Sequence, residues 1–566
     1  MSLLLLALGV VAILAVGYTA YGSFIARQYR LDDANTTPAV ANNDGVDFVP
    51  IQPFYLLGQH FSAIAAAGPI VGPIAAALAF GWLPSILWIV LGVVFIGAVH
   101  DLSALVASIR HGANSIAEIA RQNLGHRAWL AFIGFIWLSL VYVIVAFTDV
   151  TASTFVGITE ELTGEFSFNP GGAVAAASTM YLLLALVMGL TQRKLNPPMW
   201  LMTLIFVPAT LVVVWLGTQV STVLLLRAEN WHIAILAYCF IASLLPLWLL
   251  QQPRGYLGGF VLYLALAVGV IGILFGGFEI RQPAIIHTSG SKMEELLFPF
   301  LFVTIACGAC SGFHGLVCGG TTSKQIAKES HCEPIGYGAM LLEGMVALIA
   351  LATVIIVAPD EIRGRSPGTL YGNGIATFIS VMLGKQAYLF AATFGAMAFS
   401  TFVFDTLDVA TRLGRYLLQE LFGRQSRSAG VLGSLATAGV SLLVLLSAQP
   451  GSWRQFWVLF GTSNQLLASL TLLGVTVWLY REGKRYWYTL LPMLFVFAVT
   501  IVALVIQIWV GWSAFRRLGL TFDSAILNGL VAAALFGLAI VFVIEAIRAV
   551  RRAAALRAGN IAPSTA

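Results

Sequence analysis

Residues 58–73 read Gly-Gln-His-Phe-Ser-Ala-Ile-Ala-Ala-Ala-Gly-Pro-Ile-Val-Gly-Pro, and they lie within an apolar segment long enough to cross a bilayer. Proline lacks a backbone N–H and disfavours the helical conformation of the residue before it, which here is glycine at both Gly68 and Gly72. In hydrocarbon the freed backbone groups are tolerated only where protein covers them or where they line a polar cavity. The segment therefore predicts an interrupted membrane helix at a candidate binding site.

The composition is that of a polytopic membrane protein. Of 566 residues, 59% are hydrophobic and only 10% are charged, whereas soluble domains carry roughly 25% charged residues. The mean hydropathy is +0.90. About fifteen apolar runs have spanning length, at 2–25, 54–80, 84–108, 129–150, 172–191, 199–217, 231–250, 257–277, 296–319, 335–358, 386–406, 430–447, 453–479, 488–510 and 525–547. A shorter apolar piece, Gly374–Leu383, is interpreted as re-entrant or interfacial.

Lys and Arg alternate between the two sides of these spans. If the first span begins outside, roughly two thirds of the 30 basic residues lie in cytoplasmic loops, as the positive-inside rule requires. We therefore expect an outside N-terminus and a cytoplasmic C-terminus. On the cytoplasmic side, Ser115–Leu124 carries a Ser-x-x-Glu capping box at Ser115 and Glu118, which predicts an interfacial helix.

A second irregular span is predicted at 305–322, which reads Ile-Ala-Cys-Gly-Ala-Cys-Ser-Gly-Phe-His-Gly-Leu-Val-Cys-Gly-Gly-Thr-Thr. Five glycines in this stretch make a poor helix. Transporters built from inverted repeats use two interrupted helices, whose half-helix N-termini face anionic groups. The alternative is that the glycines only allow close helix packing.

A metal site is a rival interpretation of the same stretch. Cys307, Cys310, His314 and Cys318 fall on one helical face, and such ligands suit zinc. A straight helix would spread them over about 16 Å, too far for one ion to reach all of them. Buried cysteine usually acts as a small apolar filler. We predict no metal here and keep Cys307, Cys310 and His314 as the candidates if one is bound.

Ionisable residues within the spans are few, and each is costly at mid-bilayer unless it is paired or hydrated. They are His60, His100, Asp101, Asp149, His314, Glu343, Asp405 and Asp408. Interfacial salt bridges of Asp101 with Arg110 and of Asp408 with Arg412 are the ordinary explanation for two of them. Glu343 has no basic residue near it in sequence, which makes it a candidate proton carrier, although a buried polar pairing would also explain it.

Gly461–Gln465, with the sequence Gly-Thr-Ser-Asn-Gln, places hydrogen-bonding side chains inside another apolar run. These side chains are costly in lipid unless they face a cavity or partner helices. The chain has no Walker A loop, no H-E-x-x-H and no dinucleotide fingerprint. We therefore expect no enzyme activity, no cofactor and no nucleic-acid partner, and transport that is passive or driven by an ion gradient.

The chain resembles the carbon starvation protein A (CstA) family of bacterial inner-membrane transporters. The matching stretches are His60-Phe61-Ser62-Ala63-Ile64, Gly68-Pro69-Ile70-Val71-Gly72-Pro73, Gly97-Ala98-Val99-His100-Asp101, Ala306-Cys307-Gly308-Ala309, Ser311-Gly312-Phe313-His314, Gly319-Gly320-Thr321-Thr322, Ile335-Gly336-Tyr337-Gly338-Ala339-Met340, Glu343, Asp408-Val409-Ala410-Thr411-Arg412-Leu413-Gly414-Arg415 and Leu459-Phe460-Gly461-Thr462-Ser463-Asn464-Gln465-Leu466-Leu467-Ala468. The resemblance implies an all-α polytopic protein with a LeuT-like inverted-repeat core and extra helices. It also implies uptake of peptides or pyruvate, with protons as the expected coupling ion.

These inferences define a working hypothesis. We expect a first span and cytoplasmic loop at 1–53, a CstA-like core at 54–480, and C-terminal spans with a short tail at 481–566. The predicted function is symport of a small carboxylate substrate with H⁺, or with Na⁺ as the alternative, across the inner membrane. A nutrient sensor without net flux is a second alternative, and a metal-dependent membrane enzyme a third.

Two sets of site residues follow from the hypothesis. The candidate substrate-binding residues are His60, Gly68, Pro69, Gly72, Pro73, Ser311, Gly312, Phe313, His314, Thr462, Ser463, Asn464 and Gln465. The candidate coupling residues are His100, Asp101, Glu343, Asp405 and Asp408.

Overall fold

The computed structural model describes residues 2–45, 48–65, 67–156, 160–162, 166–286, 296–424, 426–448, 452–519, 521 and 523–557. Its α-helices are α1 (Leu3–Val16), α2 (Ser23–Tyr29), α3 (Pro38–Ala41), α4 (Pro53–Ile64), α5 (Gly68–Phe80), α6 (Trp82–Gly92), α7 (Ala98–Arg110), α8 (Ile116–Leu124), α9 (His126–Phe155), α10 (Pro170–Leu195), α11 (Met199–Gln219), α12 (Ala228–Leu244), α13 (Gln251–Phe275), α14 (Leu297–Thr304), α15 (Gly312–Gly320), α16 (Ala339–Ile355), α17 (Pro367–Leu383), α18 (Tyr388–Leu421), α19 (Arg427–Leu446), α20 (Trp453–Arg481), α21 (Trp487–Leu518) and α22 (Ser524–Arg557). Two short antiparallel strands, β1 (Glu160–Leu162) and β2 (Phe166–Phe168), form a hairpin.

Shorter helical turns connect or extend these helices. The π-helical turns are Gly17–Gly22, Val93–Gly97 and Glu333–Gly338. The first joins α1 to α2, the second joins α6 to α7, and the third leads directly into α16. The 3-10 turns are Thr322–Gln325, Glu329–His331 and Lys385–Ala387.

The expected class, an all-α polytopic membrane protein, is confirmed. Within the described residues, 12 helices are long and apolar enough to cross a membrane, or 13 if the bent pair α4–α5 is one span. Two expected spans take other forms, since 231–250 becomes the 17-residue helix α12 and 296–319 is divided between α14 and α15. The short apolar piece Gly374–Leu383 belongs to a longer helix, α17, which packs against α13, α16 and α18.

The first interruption differs in detail from the prediction. α4 ends at Ile64, α5 begins at Gly68, and their axes differ by 48°. Pro69 lies in the first turn of α5, where no N–H donor is needed. Pro73 lies inside α5, so the helix is interrupted next to the first Gly-Pro step and continues through the second.

The second interruption separates α14 from α15 by a turn in which the N–H groups of Ala309 and Cys310 both donate to the Ala306 carbonyl. It lies directly against the first interruption. A Cβ on Gly72 would stand 2.7 Å from the Thr304 oxygen, and a Cβ on Gly308 would stand 3.6 Å from the Pro69 Cα. Gly72 is therefore needed for the close approach of α5 to the α14 backbone. A Cβ on Gly308 would also stand 3.0 Å from the Cβ of Ala347 on α16, which fits the packing role considered for the glycines of 305–322.

The interfacial segment begins as its capping box predicts. Ser115 is the N-cap of α8, and its hydroxyl accepts a hydrogen bond from the Glu118 N–H at 3.2 Å. α8 packs against α9 and α20, and it lies beside α15, because a Cβ on Gly319 would stand 3.2 Å from the Ile116 nitrogen.

We predict that Gly72→Ala destabilises the protein by about 1–3 kcal/mol, because the added methyl group meets a backbone carbonyl that cannot move without shifting α14. Gly474→Ala is the matched control, since Gly474 is also a buried helical glycine, but no neighbouring atom of the described residues lies within 4 Å of the place its Cβ would take. Thermal unfolding of the purified protein in detergent measures both. Equal midpoints for the two variants would contradict the close contact between the interruptions.

Candidate functional site

Four ionisable side chains from α7, α15 and α16 form a connected chain beside the interruptions. His100 Nδ1 lies 2.7 Å from Asp101 Oδ1, and Asp101 Oδ2 lies 2.8 Å from His314 Nδ1. The other ring nitrogen of His314, Nε2, lies 3.2 Å from Glu343 Oε2. All four residues are at most 1% exposed. We refer to His100, Asp101, His314 and Glu343 as the His–carboxylate chain.

The charges of this chain limit its protonation states. A buried carboxylate is tolerated only when it is paired, and His314 contacts one carboxylate with each ring nitrogen. With both carboxylates ionised and His314 protonated, Asp101, His314 and Glu343 together carry one net negative charge. Binding one more proton would neutralise it. Because His314 contacts both carboxylates, protonation of any one of these three groups changes the proton affinity of the other two.

Small residues place α15 close enough to α7 for these contacts. A Cβ on Gly315 would stand 3.3 Å from Cε1 of His100. His60 on α4 is also buried, and its Nδ1 lies 2.9 Å from the Thr322 hydroxyl, just beyond α15. His60 interacts electrostatically with Asp101 and His314. The first interrupted helix therefore contributes a histidine to the surroundings of the His–carboxylate chain.

Asn464 on α20 holds the start of α15. Its Oδ1 accepts a hydrogen bond from the Phe313 N–H at 3.0 Å, and its Nδ2 donates to the Ser311 hydroxyl at 3.1 Å and to Cys307 Sγ at 3.3 Å. A Cβ on Gly312 would collide with the α20 backbone at Asn464 and Ala468. One amide side chain thus joins α20 to both sides of the second interruption.

Three further side chains satisfy the carbonyl groups at the end of α14. Gln465 Nε2 donates to the Phe302 oxygen at 2.9 Å. Two tryptophans that no sequence motif singled out do the same. Trp88 Nε1 donates to the Phe302 and Ile305 oxygens at 3.1 Å each, and Trp457 Nε1 donates to the Thr304 oxygen at 3.0 Å. The sequence offers only a general signal for these two tryptophans, which is that a buried indole N–H usually has a hydrogen-bond acceptor.

The polar run on α20 does not act as one unit. Thr462 accepts a hydrogen bond from Gln507 of α21 at 2.9 Å, and Ser463 donates to the Phe460 carbonyl of its own helix at 2.9 Å. Only Asn464 and Gln465 bond to the interruption. The Phe313 N–H, a backbone group expected to meet the substrate, is already bonded to the Asn464 side chain, so a substrate would have to replace that side chain.

The predicted coupling residues fall into two clusters. Asp405 and Asp408 pair with Arg254 of α13, which is 1% exposed although it lies between the predicted apolar runs 231–250 and 257–277. Arg254 Nη2 lies 2.6 Å from Asp405 Oδ1, Nη1 bonds to Asp408, and the Tyr238 hydroxyl donates to Asp408 at 2.9 Å. We refer to these four residues as the Arg254 cluster.

The two salt bridges considered from the sequence, Asp101–Arg110 and Asp408–Arg412, do not form, so that prediction is wrong. Arg412 donates to the Ala242 and Leu245 carbonyls at 2.8 Å each and not to Asp408. Arg110 pairs with Glu329 at 3.1 Å, whereas Asp101 faces two histidines. Both carboxylates therefore lie deeper in the helix bundle than their neighbours in sequence indicated.

The remaining candidates have local partners. Asp149 on α9 lies 2.8 Å from Nε2 of His232 on α12. The Cys307 thiol is bonded to Asn464, and Cys318 Sγ lies 3.6 Å from the Asp101 carbonyl oxygen. Across the residues that the structure describes, no group of three or more His, Cys, Asp or Glu side chains is placed to hold a metal ion. His314 faces carboxylates on both sides and not the cysteines.

The helices and the buried polar clusters define a multi-pass membrane protein, and its relatives are named transporters. A profile described as carbon starvation protein CstA matches residues 1–367 and 362–503. The chain belongs to this family.

Similar proteins include the peptide transporter CstA of Helicobacter pylori strain 26695, which is 32% identical and aligns over 88% of this chain and 80% of its own. The peptide transporter CstA of Bacillus subtilis is 31% identical over 95% of both chains. The pyruvate/proton symporter BtsT of Escherichia coli is 30% identical over 88% of this chain and 81% of its own. Among solved structures, a manganese transporter of Eremococcus coleocola is 14% identical with a TM-score of 0.47, over 90% of this chain and 98% of that one.

We predict that Asp408→Asn destabilises the protein by about 3–5 kcal/mol, because it leaves the buried Arg254 without its fully buried partner. Asp405→Asn is the matched control on the same helix. The Asp405 side chain is 32% exposed, so we expect its loss to cost less than about 1 kcal/mol. Thermal unfolding in detergent compares the two variants, and an equal or larger effect at Asp405 would contradict this description of the Arg254 cluster.

Proposed function

We propose that the protein is a proton-coupled symporter that takes up small carboxylate nutrients, peptides or pyruvate, by alternating access. The observation that carries the proposal is the buried His–carboxylate chain, which links one half of an interrupted helix, α15, to α7 and α16. The names of two relatives, a peptide transporter and a pyruvate/proton symporter, support the substrate class and the ion. We place the protein in the bacterial inner membrane with its N-terminus outside and its C-terminus in the cytoplasm.

The substrate site in this proposal lies between the two interruptions. α5 and α15 both begin there, at Gly68 and Gly312, and the positive ends of their helix dipoles favour a carboxylate. Opening the site would transfer the Phe313 N–H from Asn464 to the substrate. Ser311 and His60 are the neighbouring side chains that can donate or accept hydrogen bonds.

Proton binding is coupled to movement through His314. This residue is on α15, whereas its two carboxylate partners are on α7 and α16. Protonation of Glu343 removes one of the two charges that hold His314 in place, which weakens the contact between α15 and α16. A proton shifts the equilibrium between two conformations only as far as its affinity differs between them, and separating His314 from Glu343 supplies such a difference.

We expect Glu343→Gln to reduce the rate of uptake driven by a pH gradient at least tenfold, because the substitution fixes this position in a neutral form. Exchange of labelled for unlabelled substrate at equal pH should persist, since it requires no net proton movement. Proteoliposomes with labelled pyruvate and labelled dialanine measure both activities. The control is Glu361→Gln, which changes an exposed glutamate in the connection between α16 and α17.

Two results would contradict the proposal. Accumulation by Glu343→Gln that still follows the pH gradient would exclude Glu343 as the coupling group. Wild-type uptake that ignores the pH gradient but stops when choline replaces sodium would identify a sodium-coupled carrier. A nutrient sensor would instead show stabilisation by pyruvate or dialanine without flux of either.

A further inference from the structure

A cavity of about 1010 Å³ lies away from the interruptions, where several helices end on one side of the protein. Five basic side chains line it, from Arg27, Arg30, Arg110, Lys484 and Arg485, together with one acidic residue, Glu329. Asn35 and Asn42 add amide groups that donate hydrogen bonds. We refer to this feature as the basic cavity.

The basic cavity lies at the edge of the apolar spans. Arg27 is in the last turn of α2, and Arg110 is the last residue of α7. Lys484 and Arg485 occupy the short connection between α20, which ends at Arg481, and α21, which begins at Trp487. All the basic groups therefore belong to ends of membrane-length helices, which is the depth at which lipid headgroups lie.

Most of this positive charge is not neutralised by the protein. Arg110 pairs with Glu329 at 3.1 Å, and Lys484 pairs with Glu482 at 2.5 Å. Within the described ranges, no carboxylate lies in ion-pair distance of Arg27, Arg30 or Arg485.

Three acidic residues that the structure describes in the loop after α2, Asp32, Asp33 and Asp44, also lie nearby in sequence, but they are not among the residues that line the cavity. The Asp32 carboxylate accepts a hydrogen bond from the Ala34 N–H at 2.9 Å. The Asp33 carboxylate accepts from the Ser330 N–H at 3.0 Å, and the pKa of Asp33 is lowered by the hydrogen bonds from Ser330. Five basic residues and one acidic residue line the basic cavity, so its lining carries an excess of positive charge in a space large enough for a charged molecule.

We propose that the basic cavity binds a phosphate-bearing anion, either the headgroup of an anionic lipid or a soluble phosphate compound. Guanidinium groups donate paired hydrogen bonds to phosphate oxygens. Basic pockets between membrane helices are the usual form of a lipid-headgroup site. The bound anion would join the loop after α2, the end of α7 and the α20–α21 connection, none of which takes part in the proposed transport site.

The test uses the full-length protein in a neutral detergent. Thermal unfolding is followed while phosphatidylglycerol, phosphatidylcholine or sodium pyrophosphate is added at constant ionic strength, because a ligand that binds only the folded state raises the midpoint. The variant Arg27→Gln/Arg30→Gln/Arg485→Gln removes the three unpaired charges. The control Arg424→Gln/Arg427→Gln/Arg551→Gln removes the same charge from exposed arginines outside the basic cavity.

We expect phosphatidylglycerol to stabilise the wild type and the control variant, and the cavity variant to require at least tenfold more of it. Stabilisation by phosphatidylglycerol alone identifies a lipid headgroup as the ligand, and an equal response to pyrophosphate identifies a soluble phosphate compound. The proposal is overturned if the cavity and control variants respond alike. It is also overturned if neither anion stabilises the wild type more than phosphatidylcholine does.

Discussion

The structure depends on one constraint, which is that every backbone polar group within a membrane needs a partner. Interrupting α14 frees the carbonyls of Phe302, Thr304 and Ile305, and side chains from α6 and α20 satisfy them. The same helix α20 supplies Asn464 to the start of α15. An interruption of this kind is therefore stable only as part of a bundle, because its hydrogen bonds come from other spans.

A related constraint governs the charges. Carboxylates inside the bundle need counter-charges, and the chain meets this need with two solutions. The His–carboxylate chain uses histidines, whose imidazole rings can gain or lose a proton, whereas the Arg254 cluster uses an arginine, which stays charged. In the proposed function this difference gives the two clusters different roles. The first is suited to proton binding, and the second is suited to holding α12, α13 and α18 together.

Sequence reasoning identified most of the elements and fewer of the contacts. The membrane class, both interruptions and the family were predictable from the Gly-Pro steps, the glycine-rich stretch and the ordered motifs. The composition also singled out His314 and Glu343, although neither was predicted to contact the other. Trp88, Trp457 and Arg254 were missed because an indole in an apolar run and an arginine at a span end have ordinary explanations in sequence. The functional roles of the site residues stay predictions.

The sequence by itself determined most of the apolar segments that are long enough to cross a membrane and the two stretches that contain interruptions, because hydropathy and proline act locally along the chain. Only the tertiary structure decided the partners. Asp101 faces His314 and not Arg110, and Asp408 pairs with Arg254 and not Arg412. It also showed that just the first Gly-Pro step coincides with the break. The physical reason is that pairing depends on which helix faces meet, and packing between distant segments sets those faces.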